Sequence, residues 1–538
     1  MYNETVQESE QTFAAIKKQK YYEIHKKLRL KKKLFIDPLF PLIKLEKVFP
    51  GNKYRGEEIK WLRPHQIVNK PVFVENISSS SQFDIKQGKL NDCWLMTAMS
   101  IVSMKNNLFE RAVPKGQRFE GERYVGIFAF NFFVFGDWIQ VCVDDYLPTA
   151  KGELIFSRSE SRNEFWPALL EKAYAKISGG FEMLQYGHTI EAFSDITGGV
   201  CEKFKTLNKF DEKLYNLLQR YFLRQSLVSC FIYHKKSVEL ECKLITMHSY
   251  GMTNLKTITV NGKTCHLVRL KNPWARGSPE WNGAWSDESE EWQNISEKSR
   301  NEVGLIVDND GEFWMEFDDF TKYFNVFEVC HLPLMKDVRA KMTYLWNVFQ
   351  FFGEWSEKNR TAGGNVGNRK TFPQNPKYLL TITCDDIEED DDLCTVVLHL
   401  EQKLYRIRKS ITSANLAIGM IVYFYCKLKA KDQNTENRLV EIHPDSINAK
   451  FFRYNLSCAR TTYQDTRVLS ERFRFKRGHY LVIPTTFEPG IESYFMLRAL
   501  IARSRMDKKT FKQQFKPVEI QSEIENRKFS SSYFRKVL

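Results

Sequence analysis

Gln87-Gly88-Lys89-Leu90-Asn91-Asp92-Cys93-Trp94-Leu95-Met96-Thr97-Ala98 joins a turn-forming loop to an apolar run. The loop carries Gly88 and the Asn91-Asp92 pair, and past Cys93 come Trp94, Leu95, Met96, Ala98, Met99, Ile101, Val102 and Met104. Apolar residues on nearly every side predict a helix buried in a large domain rather than an amphipathic surface helix. Cys93 then stands at the helix N-terminus, where unpaired backbone N–H groups and the helix dipole favour negative charge. A thiolate is better held there than in water, which is one route to a nucleophilic cysteine. Taken alone, the residue reads more simply as a core thiol.

Outward from this helix, Tyr124 to Phe135 and Asp137 to Asp144 predict a hairpin turning at Gly136. Glu164 to Lys176 has helical spacing and runs towards Gly179-Gly180; Gly198-Gly199 follows a second helical stretch and suits a hinge between lobes. Strand-like segments then dominate, at Ser226 to Tyr233, His248 to Thr253, Lys256 to Val260 and Cys265 to Leu270, followed by Trp274, Trp281, Trp285, Trp292 and Trp314. From about 336 to 503, short β-rich segments alternate with turns, including Tyr378 to Thr383, Thr395 to Leu400, Ala417 to Tyr425 and Tyr480 to Pro484. That spacing predicts a β-sandwich. The run Asp385 to Asp392 is acidic enough to predict an exposed loop. We expect an α+β chain with a basic arm (1–34), two lobes (35–198 and 199–335), a sandwich (336–503) and a basic tail (504–538).

At 538 residues the chain is too long for one core, and roughly three or four domains are expected. No apolar run approaches the roughly 20 residues of a membrane helix. The start, Met1-Tyr2-Asn3-Glu4-Thr5, is polar and acidic, so no secretory leader is expected. Eleven cysteines are scattered with no CxxC pair, so neither a disulfide framework nor a zinc cage is signalled and a cytoplasmic setting is expected. A net charge of +14 raises nucleic acid and anionic membrane as partners. Much of it lies between residues 17 and 33 of the arm, where Lys17, Lys18, Lys20, Lys26, Lys27, Arg29, Lys31, Lys32 and Lys33 face one acid, Glu23. No nucleic-acid module is present, so nucleic acid is not expected. The arm reads first as a solvated, partly helical segment and second as a contact for an anionic membrane.

A thiol enzyme needs a histidine to hold the proton and a third group to orient the ring. His248 opens a strand-like segment, and a second one runs into Asn272-Pro273-Trp274. Two adjacent antiparallel strands would set His248 beside Asn272, with Trp274 shielding the bond between them. His234 and His266 have similar settings, so spacing alone leaves His248 open to a structural role.

The stretches Gln87-Gly88…Asp92-Cys93-Trp94, Glu164-Phe165-Trp166…Lys176, Thr197-Gly198-Gly199-Val200, Asn272-Pro273-Trp274, Gly283-Ala284-Trp285-Ser286-Asp287 and Asp310-Gly311-Glu312-Phe313-Trp314-Met315 resemble the calpains, in calpain order, over roughly residues 35 to 503. Thr361-Ala362-Gly363-Gly364 and Thr486-Phe487-Glu488-Pro489 resemble the calpain C2-like sandwich. The resemblance implies a papain-like two-lobe core followed by an antiparallel C2-like β-sandwich. It implies a calcium-dependent intracellular cysteine endopeptidase making limited cuts in protein substrates through a thioester. Cys93 would be the nucleophile, His248 its general base, Asn272 the ring-orienting partner and Gln87 an oxyanion donor. Calcium ligands would be Asp84 and Glu164 in the first lobe, and Glu280, Asp287, Asp308 (through its carbonyl), Asp310 and Glu312 in the second. Hard oxygen donors from distant segments suit Ca²⁺.

Three departures bear on activity. Asn91 stands where calpains carry glycine and brings a side chain beside the nucleophile loop; Ala275 replaces the glycine after Asn-Pro-Trp; and the loop before Glu280 is two residues longer. No EF-hand pattern follows the sandwich, so pairing with a penta-EF-hand small subunit is not expected. The competing expectation is a catalytically weak or silent calpain-like scaffold that binds partners or anionic membrane through the sandwich or arm.

Overall fold

The computed structural model describes residues 2–42, 45, 48–49, 51, 53–75, 85–206, 211–332, 346–383, 392–403, 405, 416–426, 447–502 and 514–517. Asp84, nearly all of the acidic run and most of the tail lie outside the described residues.

The arm is helical, as expected, and it is docked rather than only solvated. Helices α1 (Tyr2–Lys18) and α2 (Tyr21–Lys31) dock on the first lobe. Ile16 enters its core, Lys17 pairs with Asp137 at 2.7 Å, and Tyr21, Ile24 and Leu28 pack on Phe35, Val125 and Ile127. A few apolar positions among the lysines suffice to hold the helices down, because each packs on an already built surface.

The first lobe is built on α3 (Cys93–Ser103), buried at every residue from Trp94 to Ser103. Around it lie the hairpin β1 (Ile127–Val134) and β2 (Asp137–Asp144), and helices α4 (Trp166–Ser178) and α5 (Thr189–Thr197). Phe135 and Gly136, both at positive φ, form the two-residue turn that matches strand twist. Gly88 admits no side chain, since a Cβ would stand 2.2 Å from the Phe156 carbonyl oxygen. Three buried ion pairs brace the lobe: Lys172 with Asp144, Lys176 with Asp37, and Arg63 with Asp145.

The second lobe is a six-stranded antiparallel sheet. Its strands are β3 (Val200–Lys205), β4 (Leu227–Phe231), β5 (Ser249–Val260), β6 (Lys263–Lys271), β7 (Glu312–Glu316) and β8 (Val326–His331), in the order β3-β8-β4-β5-β6-β7. The two segments expected at 248–253 and 256–260 are one strand, interrupted only by a bulge between Met252 and Asn254. α3 lies against β5: Thr97 donates to the Ser249 carbonyl at 3.1 Å, and Gly251 leaves room for Ile101.

A β-sandwich follows. One sheet holds β9 (Asn347–Trp355), β11 (Cys394–Gln402), β14 (Val468–Phe475) and β16 (Ser493–Ile501) in the order β9-β16-β11-β14. The other holds β10 (Tyr378–Ile382), β12 (Ile418–Cys426), β13 (Ser457–Arg460), β15 (Gly478–Thr486) and β17 (Gln514–Pro517) in the order β13-β12-β15-β10-β17. β11 and β15 are buried along their whole length, which is why they lack the alternation of a half-exposed strand. Arginines tie the sandwich to both lobes. Arg467 grips Asp195 through two bonds of 2.6 and 2.7 Å, Arg472 reaches Glu202 at 2.6 Å, and Arg498 donates to the carbonyls of Gly198 and Gly199 at 2.8 and 3.0 Å.

Candidate active site

β5 and β6 pair with Gly251 opposite Lys271, so the residues just outside the pair, His248 and Asn272, meet at its end. Nε2 of His248 lies 2.9 Å from Oδ1 of Asn272. The orientation of the Asn272 amide is fixed twice over. Its oxygen also accepts the Trp274 backbone N–H at 3.1 Å, and its nitrogen donates to the Pro279 carbonyl at 3.3 Å. An amide oxygen only accepts, so Nε2 carries the imidazole proton and Nδ1 keeps its lone pair. Both residues are buried, and the Trp274 ring lies 4.6 Å from the imidazole, covering the bond.

Trp274 also reaches the first lobe. Its indole N–H donates to Oε1 of Gln87 at 2.8 Å, while Nε2 of Gln87 donates to the Leu90 carbonyl at 2.7 Å. The primary amide carries two N–H groups, so one is left to bond an incoming oxygen. Cys93 is the first residue of α3, and its sulfur lies against the Ser249 backbone and the N–H groups of Cys93 and Trp94. Burial pushes the Cys93 thiol up to about 11, with Asp92 adding to the rise, and the backbone dipoles do not offset this. Burial holds the His248 imidazole down at about 4, against the opposing effect of Asn272. Among the described residues, no hydrogen bond joins the thiol to the imidazole; the imidazole bonds Asn272 instead.

Asn91 does not crowd the nucleophile. It is exposed, its amide points to the Tyr186 hydroxyl at 3.3 Å, and its φ is not left-handed. Ala275 is buried at a φ of 59°, a conformation that suits glycine better than alanine. The longer loop beyond it is pinned by Arg276, which grips the Asp308 carboxylate at 2.6 and 2.9 Å.

The second-lobe acids gather on the turn leading into β7. Glu280 accepts from Gly311 N–H at 2.6 Å, Asp287 from Asp308 N–H at 3.1 Å and Asp310 from Glu312 N–H at 2.8 Å. Glu312 is held by Thr253 at 2.6 Å and Arg269 at 3.3 Å, and the Asp308 carbonyl accepts from Asp310 N–H. Burial, reinforced by the neighbouring carboxylates, pushes Glu280 up to about 7 and Asp287 to about 6. Oδ1 of Asp287 is buried without a donor. Among the described residues no three acidic, histidine or cysteine side chains converge at ion-binding geometry. The clustered hard oxygens, their mutual repulsion and the orphaned Asp287 oxygen nevertheless fit a divalent cation. In the first lobe, Glu164 accepts from Ser159 at 2.6 Å and from Glu75 N–H at 2.8 Å, with Ser161 holding Glu75 at 2.7 Å. Glu75 had no signal in the sequence; a bridge between Val72 and Glu164 brings it there.

Residues 35–331 match the family model for calpain family cysteine protease, and residues 351–500 match that for calpain large subunit, domain III. Calpain-A of Drosophila melanogaster is 40% identical over 477 residues, covering 86% of this chain and 55% of the relative. Calpain clp-1 of Caenorhabditis elegans is 38% identical, covering 89% and 60%. Human Calpain-8 is 37% identical, covering 86% and 65%. This chain thus spans between 55% and 65% of the length of these relatives. It belongs to the calpain family of cysteine proteases.

Proposed function

We propose that this chain is a cysteine endopeptidase that cuts protein substrates through a thioester acyl-enzyme, and that calcium completes its site. The observation that carries the reading is the His248–Asn272 bond at the end of the β5–β6 pair, beside the helix terminus that bears Cys93. The tautomer leaves Nδ1 to take the thiol proton once the two groups meet, and Asn272 then holds the imidazolium. The free Gln87 N–H and the Cys93 backbone N–H supply the two oxyanion donors. Nδ1 later returns its proton to the leaving amine, and a water activated by the same nitrogen hydrolyses the thioester.

Burial works against the charged form of both the thiol and the imidazole, and this motivates the calcium requirement, because chemistry needs a rearrangement that brings the two groups together. Glu280, Asp287, Asp310, Glu312 and the Asp308 carbonyl would hold one ion, and Glu164 with Asp84 a second. Bound calcium supplies charge that offsets the carboxylate repulsion and draws each set of segments together. The test measures cleavage of an unfolded protein and the melting temperature, with Ca²⁺ and with a chelator. Calcium is expected to switch cleavage on and raise the melting temperature. Glu280→Gln is expected to melt higher than the parent in chelator, having lost a repelled charge, and to lose most of the calcium response. Cleavage that is equal in chelator and calcium contradicts the gating.

Ten described cysteines are free thiols, which suits a reducing, cytoplasmic setting. No described helix is long and apolar enough to cross a membrane. A second reading, contact with an anionic membrane surface, is favoured by the outer face of the arm. There Tyr22 and Leu30 are 81% and 77% exposed, with Leu34 and Ile36 also exposed. They are interleaved with exposed Lys26, Lys27, Lys31, Lys32 and Lys33. Apolar insertion combined with basic attraction to phosphatidylserine is the physics of an interfacial helix. Sedimentation with phosphatidylserine vesicles in chelator is the measurement. Charge reversal at Lys26, Lys27 and Lys31 is expected to release the protein, and undiminished binding removes the reading.

A further inference from the structure

Asp92 is the N-cap of α3, a residue type that ordinarily turns its carboxylate back to accept the N–H of the second or third helical residue. Here it makes no side-chain cap bond. Its backbone carbonyl accepts from Leu95 at 2.8 Å and Met96 at 3.1 Å, and the sulfur of Cys93 lies against the N–H groups of Cys93 and Trp94. The side chain is fully buried and turned towards Glu171 of α4. Neither Asp92 oxygen meets an N–H or O–H donor, nor does Oε1 of Glu171. The other Glu171 oxygen accepts from the Ser157 N–H at 3.0 Å and its hydroxyl at 2.7 Å, which fixes it in place.

Two ionised carboxylates in such a contact repel, and they bond only with a proton between them. Burial and the mutual contact push Asp92 well above the usual carboxylate range, and burial pushes Glu171 up to about 7. Among the described residues, Tyr250 of β5 also interacts with the nucleophile, and His248, just before β5, packs edge-on against the Tyr250 ring. Neither bonds Asp92 or Glu171.

We propose that Asp92 and Glu171 form a positioning latch that draws the cap side chain away from the end of α3 and so keeps a carboxylate from competing with the sulfur for the N–H groups at that end. The latch acts through Cys93, so the inference rests on the nucleophile reading above. A cap that swung back onto Trp94 N–H would remove one dipole from the sulfur and set a carboxylate beside it. Both changes disfavour the thiolate.

The test follows the rate of Cys93 alkylation by iodoacetamide against pH, read at the peptide by mass spectrometry on the calcium-loaded protein. Glu171→Ala frees Asp92 and is expected to move the thiol midpoint upward, slowing alkylation at pH 7 by about tenfold. Glu171→Gln can donate an N–H to the Asp92 carboxylate, keep it withdrawn, and restore the parent midpoint. Asp92→Ala in the Glu171→Ala background removes the competing cap and is also expected to restore it, whatever the stability of the double variant. Loss of packing alone lowers stability in both Glu171 variants without producing this pattern of rescue. An unchanged midpoint in Glu171→Ala, or a shift that neither second variant reverses, overturns the latch. Because alkylation reads the thiol rather than hydrolysis, failure of the protease reading appears separately, as cleavage that survives Cys93→Ala.

Discussion

Replacing Cys93 by alanine will lower peptide-bond hydrolysis by about 10⁴-fold or more, because loss of a nucleophile leaves only substrate binding and the oxyanion donors. The fold should hardly notice. As a residue Cys93 keeps part of its surface exposed, its thiol meets backbone groups, and alanine fits in the space it fills, whereas the ten residues that follow it are all buried. A change in stability within about 1 kcal/mol is therefore expected. Cleavage of a casein-like substrate together with urea unfolding checks both parts. Undiminished cleavage by the variant removes Cys93 from the chemistry.

The second large effect belongs to Gln87. Its amide is aimed by the Trp274 indole, so Gln87→Ala removes a donor and also releases the tryptophan that covers the His248–Asn272 bond. Loss of one oxyanion donor lowers kcat by roughly 10²–10³-fold. Gln87→Glu separates the two contributions. A carboxylate still accepts from Trp274, but it cannot donate to the oxyanion and repels its charge. If oxyanion stabilisation dominates, the Glu variant falls at least as far as the Ala variant, with the loss in kcat rather than KM. If anchoring Trp274 dominates, the Glu variant keeps most of the parent rate.

How much of this was legible in the sequence depends on how far each feature reaches along the chain. The buried α3 was readable because its apolar residues leave no polar face, and the β1–β2 hairpin because Gly136 marks its turn. The sandwich was readable from short strands divided by turns. The calpain resemblance added what periodicity lacks, which residues from three separate segments meet. The structure brings His248, Asn272, Trp274 and Gln87 into one bonded chain. It gathers Glu280, Asp287, Asp308, Asp310 and Glu312 around one turn, while Asp84 lies outside the described residues.

What escaped were properties set by three-dimensional surroundings. Helix position alone showed that negative charge is favoured at Cys93, but not that burial acts in the opposite direction there. Asn91 looked intrusive as a letter but points outward as a side chain. The lysine-rich arm hid the few apolar residues that dock it. The Asp92–Glu171 contact joins two helices, and neither residue differs in type from an ordinary surface acid.

In the proposed mechanism, catalysis waits for calcium to bring the thiol to the imidazole. The most direct measurement is the separation of Cys93 Sγ from His248 Nδ1 in crystal structures of the same chain grown with calcium and with chelator. Hydrogen-bond contact is expected in the calcium form and none in the chelated form. The same separation in both, with the protein cutting substrate only in calcium, would contradict that mechanism.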